Sequence, residues 1–205
     1  WAAGLEVEFS DQTVGEICAT DRRIVVITAH RRENWGAGLD GIASGIRLLA
    51  VDNPDVYFVI PQHPNPAVRK QWESLGDLAN VCLTDSQSYP EFARLMARSY
   101  LVITDSGGIQ EEAPSLGKPV LVCRESTERG EGVEAGTLRM VGTDPARIHA
   151  EATELLNDPE AYRQISESEN PYGDGSASER IVAALTNLYL GGPMPEPFRS
   201  SYSRN

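Results

Sequence analysis

Six short runs of apolar, largely β-branched residues recur along the chain, and stretches with helical spacing separate them. The runs lie at 24–28, 56–60, 81–83, 101–104, 120–123 and 137–141. Helices are predicted at 37–50, after Pro66, at 90–98, before Gly117, and at 145–156, 159–167 and 176–189. Strands that are apolar throughout are typical of a parallel sheet covered on both faces. The pattern therefore predicts an α/β fold, a Rossmann-like parallel sheet sandwiched by helices.

Three segments follow from this pattern. The polar residues 1–21 do not fit the alternation and are expected to be a linker or a segment of a preceding domain. Residues 22–190 are expected to form the Rossmann-like domain. The Gly- and Pro-rich residues 191–205 are expected to form a flexible tail.

Polar clusters follow four of the predicted strands, at the edge where such sheets bind ligands. They are His30 and Arg31 after the first strand, His63 after the second, Asp105 and Ser106 after the fourth, and Arg124 after the fifth. Because parallel strands end at one edge, these residues are expected to lie close together. Their coincidence is stronger evidence for a site than any single motif.

The motif TDSGGIQEE (104–112) joins the fourth strand to a helix. Ser106 offers a hydroxyl, and Gly107 and Gly108 let a phosphate approach the main chain where a helix begins. Glu112 lies about one turn further on, where a carboxylate can bind a ribose diol. These features favour a nucleoside diphosphate site. An ordinary strand–turn–helix with acidic residues near the helix start is the alternative.

Two further segments carry candidate charges. His30 in TAHRREN (28–34) can act as an acid, a base or a phosphate donor, although a solvated basic turn would look the same. Arg124 and Arg129 in RESTERGEGVEAGT (124–137) can clamp phosphate oxygens, unless the segment is a mobile acidic loop.

Weaker signals come from a histidine and two aromatic residues. His63 stands between a strand end and two prolines, which is more typical of a rigid turn. Tyr89 and Phe92 flank a predicted helix start, where a ring can pack against a flat base; alone they would be assigned to the core.

Composition excludes several classes of function. The formal charge of −12 argues against nucleic acid or an anionic membrane as a partner. No apolar stretch approaches the roughly 20 residues of a membrane span. Cys18, Cys82 and Cys123 are widely spaced, so free thiols in a reducing cytosol are expected. Neither the histidines nor the acidic clusters have metal-ligand spacing, and no G-x-G-x-x-G follows the first strand, so neither a metal nor a redox cofactor is predicted.

Five motifs together resemble one known family. TAHRREN, QHPNP, TDSGGIQEEAPSLGKPVL, RESTERGEGVEAGT and NPYGDGSASERIV occur in the order found in the non-hydrolysing UDP-N-acetylglucosamine 2-epimerases, across residues 22 to 190. The family has a two-domain fold of the GT-B type, with the active site in the cleft between two Rossmann-like halves. The resemblance implies that this chain is the C-terminal half.

The resemblance implies an isomerase that interconverts UDP-N-acetylglucosamine and UDP-N-acetylmannosamine. UDP is eliminated to give a 2-acetamidoglucal and is then added back with the opposite configuration at C2. Nine residues match functional positions of the family. His30 matches the catalytic histidine near the diphosphate, and Ser106, Gly107, Gly108 and Arg129 match positions around the phosphates. Glu112 matches the residue on the ribose and Phe92 the residue near the uracil, while Arg31 and His63 match an allosteric site for a second substrate molecule. One departure is Gly130, where the family usually has proline.

The resemblance also implies partners. The acidic residues that handle the C2 proton would lie on a missing N-terminal domain, so this chain is expected to be folded but inactive alone. A cytoplasmic homodimer that serves cell-surface polysaccharide biosynthesis is expected for the whole enzyme. Alternatives are a hydrolysing epimerase, which releases free N-acetylmannosamine, a GT-B glycosyltransferase, and a nucleotide-sugar-binding module without activity.

Overall fold

A computed structural model describes residues 7–198, and in them strands and helices alternate. The strands are β1 (Ile24–Thr28), β2 (Tyr57–Gln62), β3 (Val81–Asp85), β4 (Leu101–Thr104), β5 (Val120–Val122) and β6 (Leu138–Met140). The helices are α1 (Gln12–Ala19), α2 (Ala37–Asp52), α3 (Pro66–Trp72), α4 (Tyr89–Arg98), α5 (Gly107–Glu112), α6 (Gly130–Glu134), α7 (Pro145–Asn157), α8 (Pro159–Ser166) and α9 (Ala177–Leu190). The predicted α/β alternation is confirmed, including the sixth strand.

The six strands form one parallel sheet in the order β3-β2-β1-β4-β5-β6. β1 pairs with β2 on one side and with β4 on the other. The side on which successive strands are added therefore changes at β1, because β2 and β3 lie on one side of it and β4, β5 and β6 on the other. The carboxyl ends of β1 and β4 therefore flank the topological switch point, where sheets of this kind form a ligand crevice.

Helices cover both faces of the sheet, as the apolar strands require. Val25 and Ile27 point to one face and join a core with α2, α3, α7 and α8. Ile24 and Val26 point to the other face and pack with residues of α1 and α4. All four side chains are fully buried, so β1 has no solvent-facing side within its apolar part.

Helix α1 lies inside the segment that was expected to be a linker or a piece of a preceding domain. The Asp11 side chain caps its first turn by accepting hydrogen bonds from the N–H groups of Thr13 and Val14. Val14 and Ile17 are buried in the core beside β1. Two buried positions in eight residues are too weak a periodic signal for a helix prediction from sequence.

Two other segments refine the predicted pattern. The helix before Gly117 is a short α5 followed by a 3₁₀ turn, and it ends at Gly117, whose φ of 64° is left-handed. The charged segment 124–137 contains the five-residue α6. Residues 191–198 have no regular secondary structure, while residues 1–6 and 199–205 lie outside the described part.

Free thiols are predicted for the cysteines, and residues 7–198 contain all three of them. All three cysteines are free; Cys123 is buried, and Cys18 and Cys82 are half-buried. Burial raises the pKa of the Cys123 thiol, so this thiol stays protonated. Between residues 7 and 198, no helix is both long and apolar enough to cross a bilayer.

Candidate functional site

One buried carboxylate joins the ends of β1, β4 and β5. Asp105 follows β4 and is fully buried. Its oxygens accept hydrogen bonds from the N–H groups of His30 at 3.0 Å and Arg31 at 2.9 Å, and from Nδ2 of Asn34 at 2.9 Å. The same Asn34 amide donates to the carbonyl of Cys123 at 3.0 Å. Asp105 therefore fixes the backbone of the basic turn that carries His30 and Arg31.

The turn after β4 presents two glycines to the centre of this edge. A methyl group built on Gly107 would lie 3.2 Å from Glu128 Oε1, 3.3 Å from Arg31 Nη2 and 3.7 Å from Arg129 Nη2. A side chain at residue 107 would thus fill the space on which two guanidinium groups converge. Ser106 makes no capping hydrogen bond to α5.

Three arginines from two loops lie at this sheet edge, and Arg31 and Arg129 reach the glycine turn. Arg124 lies 2.8 Å from a carboxylate oxygen of both Glu33 and Glu128, and only a tenth of its side chain is exposed. Arg129 pairs with Glu111 through Nε, and Arg31 lies 3.5 Å from Glu128. The three guanidinium groups are balanced by Glu33, Glu111 and Glu128, so an anion would have to compete with these carboxylates. Because α5 is short, the arginines must supply most of the attraction for an anion.

The loop that carries Arg129 is tied to the turn by a buried amide. Gln110 is fully buried; its Nε2 donates to the carbonyl of Ser106 at 3.1 Å, and its Oε1 accepts from Thr127 Oγ1 at 2.6 Å. Thr127 Oγ1 in turn accepts the N–H of Arg129 at 3.0 Å. Gln110 therefore holds the glycine turn and the arginine loop in one arrangement.

A tyrosine from a distant segment contacts the same loop. The hydroxyl of Tyr172 donates to the carbonyl of Arg129 at 3.2 Å. Burial raises the pKa of Tyr172 to about 12, so the phenol keeps its proton and remains a donor at neutral pH. The NPYGDGS segment thereby stabilises the backbone conformation of Arg129.

The two histidines that follow β1 and β2 face each other. Their ring centroids lie 5.1 Å apart. Together with Arg31, Trp35 and Asn65 they line a cavity of about 490 Å³. The Trp35 indole donates to the carbonyl of His30 at 2.9 Å, which fixes one wall of this cavity. His63 is therefore close to His30, as the shared sheet edge predicts.

Phe92 and Glu112 lie on different sides of the turn. Phe92 is packed against the core and, with His30, His63 and Gln87, lines a separate cleft of about 220 Å³. Oε1 of Glu112 lies 3.7 Å from a methyl group built on Gly108. Glu112 lines a different cavity of about 530 Å³, together with Glu111, Ser115 and Tyr172.

Tyr89, which the sequence offered only as a possible aromatic contact, touches a predicted ribose residue. Its hydroxyl donates to Glu112 Oε2 at 3.1 Å. This hydrogen bond raises the pKa of Tyr89 above its ordinary value, because the proton is shared with a carboxylate. Tyr89 thus holds the carboxylate of Glu112 in place.

Comparison with known proteins identifies the family. A family model described as UDP-N-acetylglucosamine 2-epimerase matches residues 4–186. The chain belongs to this family. The UDP-N-acetylglucosamine 2-epimerase of Escherichia coli K12 is 47% identical over 189 residues, which are 89% of this chain and 50% of that protein.

Solved structures of the family share the fold and contain nucleotide. The S. aureus MnaA–UDP complex has a TM-score of 0.85 and 41% identity, covering 93% of this chain and 54% of that one. The Neisseria meningitidis epimerase bound to UDP-GlcNAc has a TM-score of 0.80 and 44% identity, covering 87% and 50% respectively. This chain therefore spans about half the length of the family members that it matches.

The half-fold also occurs outside the family. The C-terminal domain of a Francisella tularensis glycosyltransferase has a TM-score of 0.57 at 15% identity, over 81% of this chain and 90% of that domain. At this identity the likeness concerns the fold alone. It agrees with the prediction of one Rossmann-like half of a GT-B fold.

Sequence reasoning did not find the residues that hold this family's motifs together. Asn34, Gln110, Thr127, Glu128 and Tyr172 all lie within the quoted motifs, but each contacts a residue in another part of the chain, 17 to 97 residues away. The sequence signal that could have indicated these contacts is an Asn or Gln a few residues past a strand end, because a buried amide is nearly always hydrogen-bonded. No group of three or more potential metal-ligating side chains occurs within residues 7–198.

Proposed function

We propose that this chain is the UDP-binding half of an enzyme that interconverts UDP-N-acetylglucosamine and UDP-N-acetylmannosamine. The observation that carries the proposal is the convergence of Arg31 and Arg129 on the glycine turn at the switch point, with Arg124 joined to them through Glu128. Guanidinium groups gathered at a glycine turn are suited to a diphosphate. The UDP and UDP-GlcNAc complexes of similar proteins support the choice of nucleotide.

In the proposed reaction the diphosphate leaves C1 while a proton leaves C2, and both return on recombination. Negative charge grows on the diphosphate as the C1–O bond breaks, and the nearby guanidinium groups lower the energy of that state. His30 stands beside Arg31 and is the group of this half that can give a proton to the departing phosphate oxygen or withdraw it. Glu112 would bind the ribose diol, and Phe92 would pack near the uracil.

The C2 proton requires a base that reaches the sugar. This chain spans about half the length of the family members that it matches, so the rest of the longer protein would supply the other side of the cleft. We therefore infer that the residues that move the C2 proton lie in the N-terminal half of the longer protein. Non-hydrolysing chemistry also requires that water be kept out, which a closed cleft between two halves achieves.

Helix α9 supports the existence of a partner half. It has no buried residue, and Ile181, Val182 and Leu188 are between 60% and 70% exposed. A helix with this much exposed apolar surface is typical of an interaction face. Since the chain spans half of its relatives, we assign that face to the missing half.

The His30–His63 cavity supports a second proposal for the same site. Arg31 lies between this cavity and the glycine turn, so one guanidinium can respond to both. We infer that a second substrate molecule in the cavity acts on the diphosphate site through Arg31. The homodimer, its cytoplasmic location and its role in polysaccharide synthesis stay predictions from the family resemblance.

Product analysis tests the reaction. The longer protein is incubated with UDP-N-acetylglucosamine, and the products are followed by ¹H NMR. The proposal predicts UDP-N-acetylmannosamine as the product, whereas free N-acetylmannosamine with UDP would identify a hydrolysing epimerase. This chain alone is expected to give no turnover; measurable epimerisation by it would overturn the assignment of the C2 base to the other half.

Removing the hydroxyl of Tyr172 tests whether this residue positions Arg129 for UDP binding or contributes only to stability. In Tyr172→Phe the carbonyl of Arg129 loses its donor, and we expect UDP to bind about three- to fivefold more weakly. Tyr162→Phe is the matched control, because Tyr162 also donates to a backbone carbonyl at 3.1 Å and has a pKa raised to about 12 by burial. Both variants should lose about 1 kcal/mol of stability in urea unfolding. Equal UDP affinity in the two variants would contradict the role of Tyr172.

A further inference from the structure

One carboxylate contacts all three arginines of the site. Glu128 lies 2.8 Å from Arg124 Nη1, 3.5 Å from Arg31 Nη2 and 3.7 Å from Arg129 Nη1. Its own backbone N–H, followed by Arg124 and Arg31, holds the pKa of the Glu128 carboxyl below its ordinary value. The group is therefore ionised at neutral pH.

The position of this carboxylate is the position proposed for a phosphate. Oε1 of Glu128 lies 3.2 Å from a methyl built on Gly107, in the space between Arg31 and Arg129. A phosphate that approached the Gly107 main chain and touched the same guanidinium groups would need this volume. Glu128 and a diphosphate therefore exclude each other.

The other two carboxylates of the cluster do not stand in the way. Glu33 pairs with Arg124 alone, and Glu111 pairs with Arg129 through Nε. Neither supplies one of the three atoms nearest to the methyl position on Gly107. Glu128 is the member that bridges the loops, and 46% of its side chain is exposed, so it can turn into water without disturbing the core.

We propose that Glu128 is an internal competitor at the diphosphate site: a carboxylate that a diphosphate displaces and weakly bound anions do not. This inference rests on the proposed function. Displacing Glu128 costs the same free energy whichever anion arrives. Anions whose own contacts do not exceed that cost, such as inorganic phosphate, leave the site to Glu128. A diphosphate reaches more of the three arginines and overcomes it.

The test compares Glu128→Gln with the wild-type chain by calorimetry, using UDP, pyrophosphate and orthophosphate as probes. Glutamine keeps the shape and removes the charge that competes. We expect UDP and pyrophosphate to bind about five- to tenfold more tightly, in keeping with several partly exposed ion pairs. Orthophosphate, undetectable with the wild type, should become measurable. Glu125→Gln, which removes an exposed carboxylate of the same loop, is the control and should change each affinity less than twofold.

Unchanged or weaker binding of pyrophosphate to Glu128→Gln would overturn the inference, since Glu128 would then position the arginines instead of competing. Glu128→Ala repeats the comparison with a second side chain if Glu128→Gln is poorly folded. A separate result would contradict the proposed function. If the wild-type chain bound UDP no more tightly than pyrophosphate, the assignment of a nucleotide would be wrong, while the role of Glu128 would stand.

Discussion

Asp105→Ala is expected to remove both the stability and the anion site of this chain. The buried carboxylate accepts from two backbone N–H groups and from Asn34; alanine leaves both backbone donors without a partner, and Asn34 keeps only its bond to the carbonyl of Cys123. We expect a loss of about 3 to 5 kcal/mol in urea unfolding, the range found when a buried charge network is broken. UDP binding should be lost as well, because His30 and Arg31 are no longer held.

A second strand-end aspartate provides the control. Asp85 ends β3 and pairs with Arg69 at 2.6 Å, but 80% of its side chain is exposed. Asp85→Ala should cost less than about 1 kcal/mol, as exposed ion pairs do. If Asp105→Ala were no more destabilising than Asp85→Ala, the buried network would not hold the site as described.

Gly132→Ala is expected to have the second largest effect, through the arginine loop. A methyl group on Gly132 would collide with the Tyr172 hydroxyl and lie 2.6 Å from Leu138 Cδ1. Overpacking of this kind costs about 1 to 3 kcal/mol. Because Tyr172 would be pushed away from Arg129, UDP should also bind more weakly, which calorimetry can measure alongside thermal unfolding.

The neighbouring glycine of the same short helix should respond with the opposite sign. Gly130 has no atom within 4 Å of the methyl position and its φ is not positive. Gly130→Ala should therefore stabilise the chain by about 0.4 to 1 kcal/mol through the unfolded state, with UDP affinity unchanged. Destabilisation by Gly130→Ala, or none by Gly132→Ala, would contradict the packing of α6.

Much of the fold could be predicted because the sheet is buried on both sides. Strands such as 24–28 are apolar at each position, so their type does not depend on register or on alternation. Helix α1 was not predicted, since its burial depends on Val14 and Ile17 meeting a core that the local sequence does not reveal. Short α6 was missed because its glycines and charges outweigh any helical pattern.

The candidate site also contains residues that the sequence predicts and residues that it does not. Ser106, Gly107 and His30 could be proposed from sequence because strand ends of a parallel sheet share an edge. The contacts of Glu128 and Tyr172 could not, because they join loops through side-chain geometry. The structure also brings Arg31, which matches an allosteric position of the family, to the glycine turn.

The central claim is that this chain carries a UDP site at the glycine turn, and calorimetric titration with UDP tests it most directly. Ser106→Ala and Glu112→Ala remove the hydroxyl and the ribose carboxylate, while Glu73→Ala removes an exposed carboxylate elsewhere. The account predicts binding that both site variants weaken and Glu73→Ala does not. Binding that all three variants leave unchanged would contradict it.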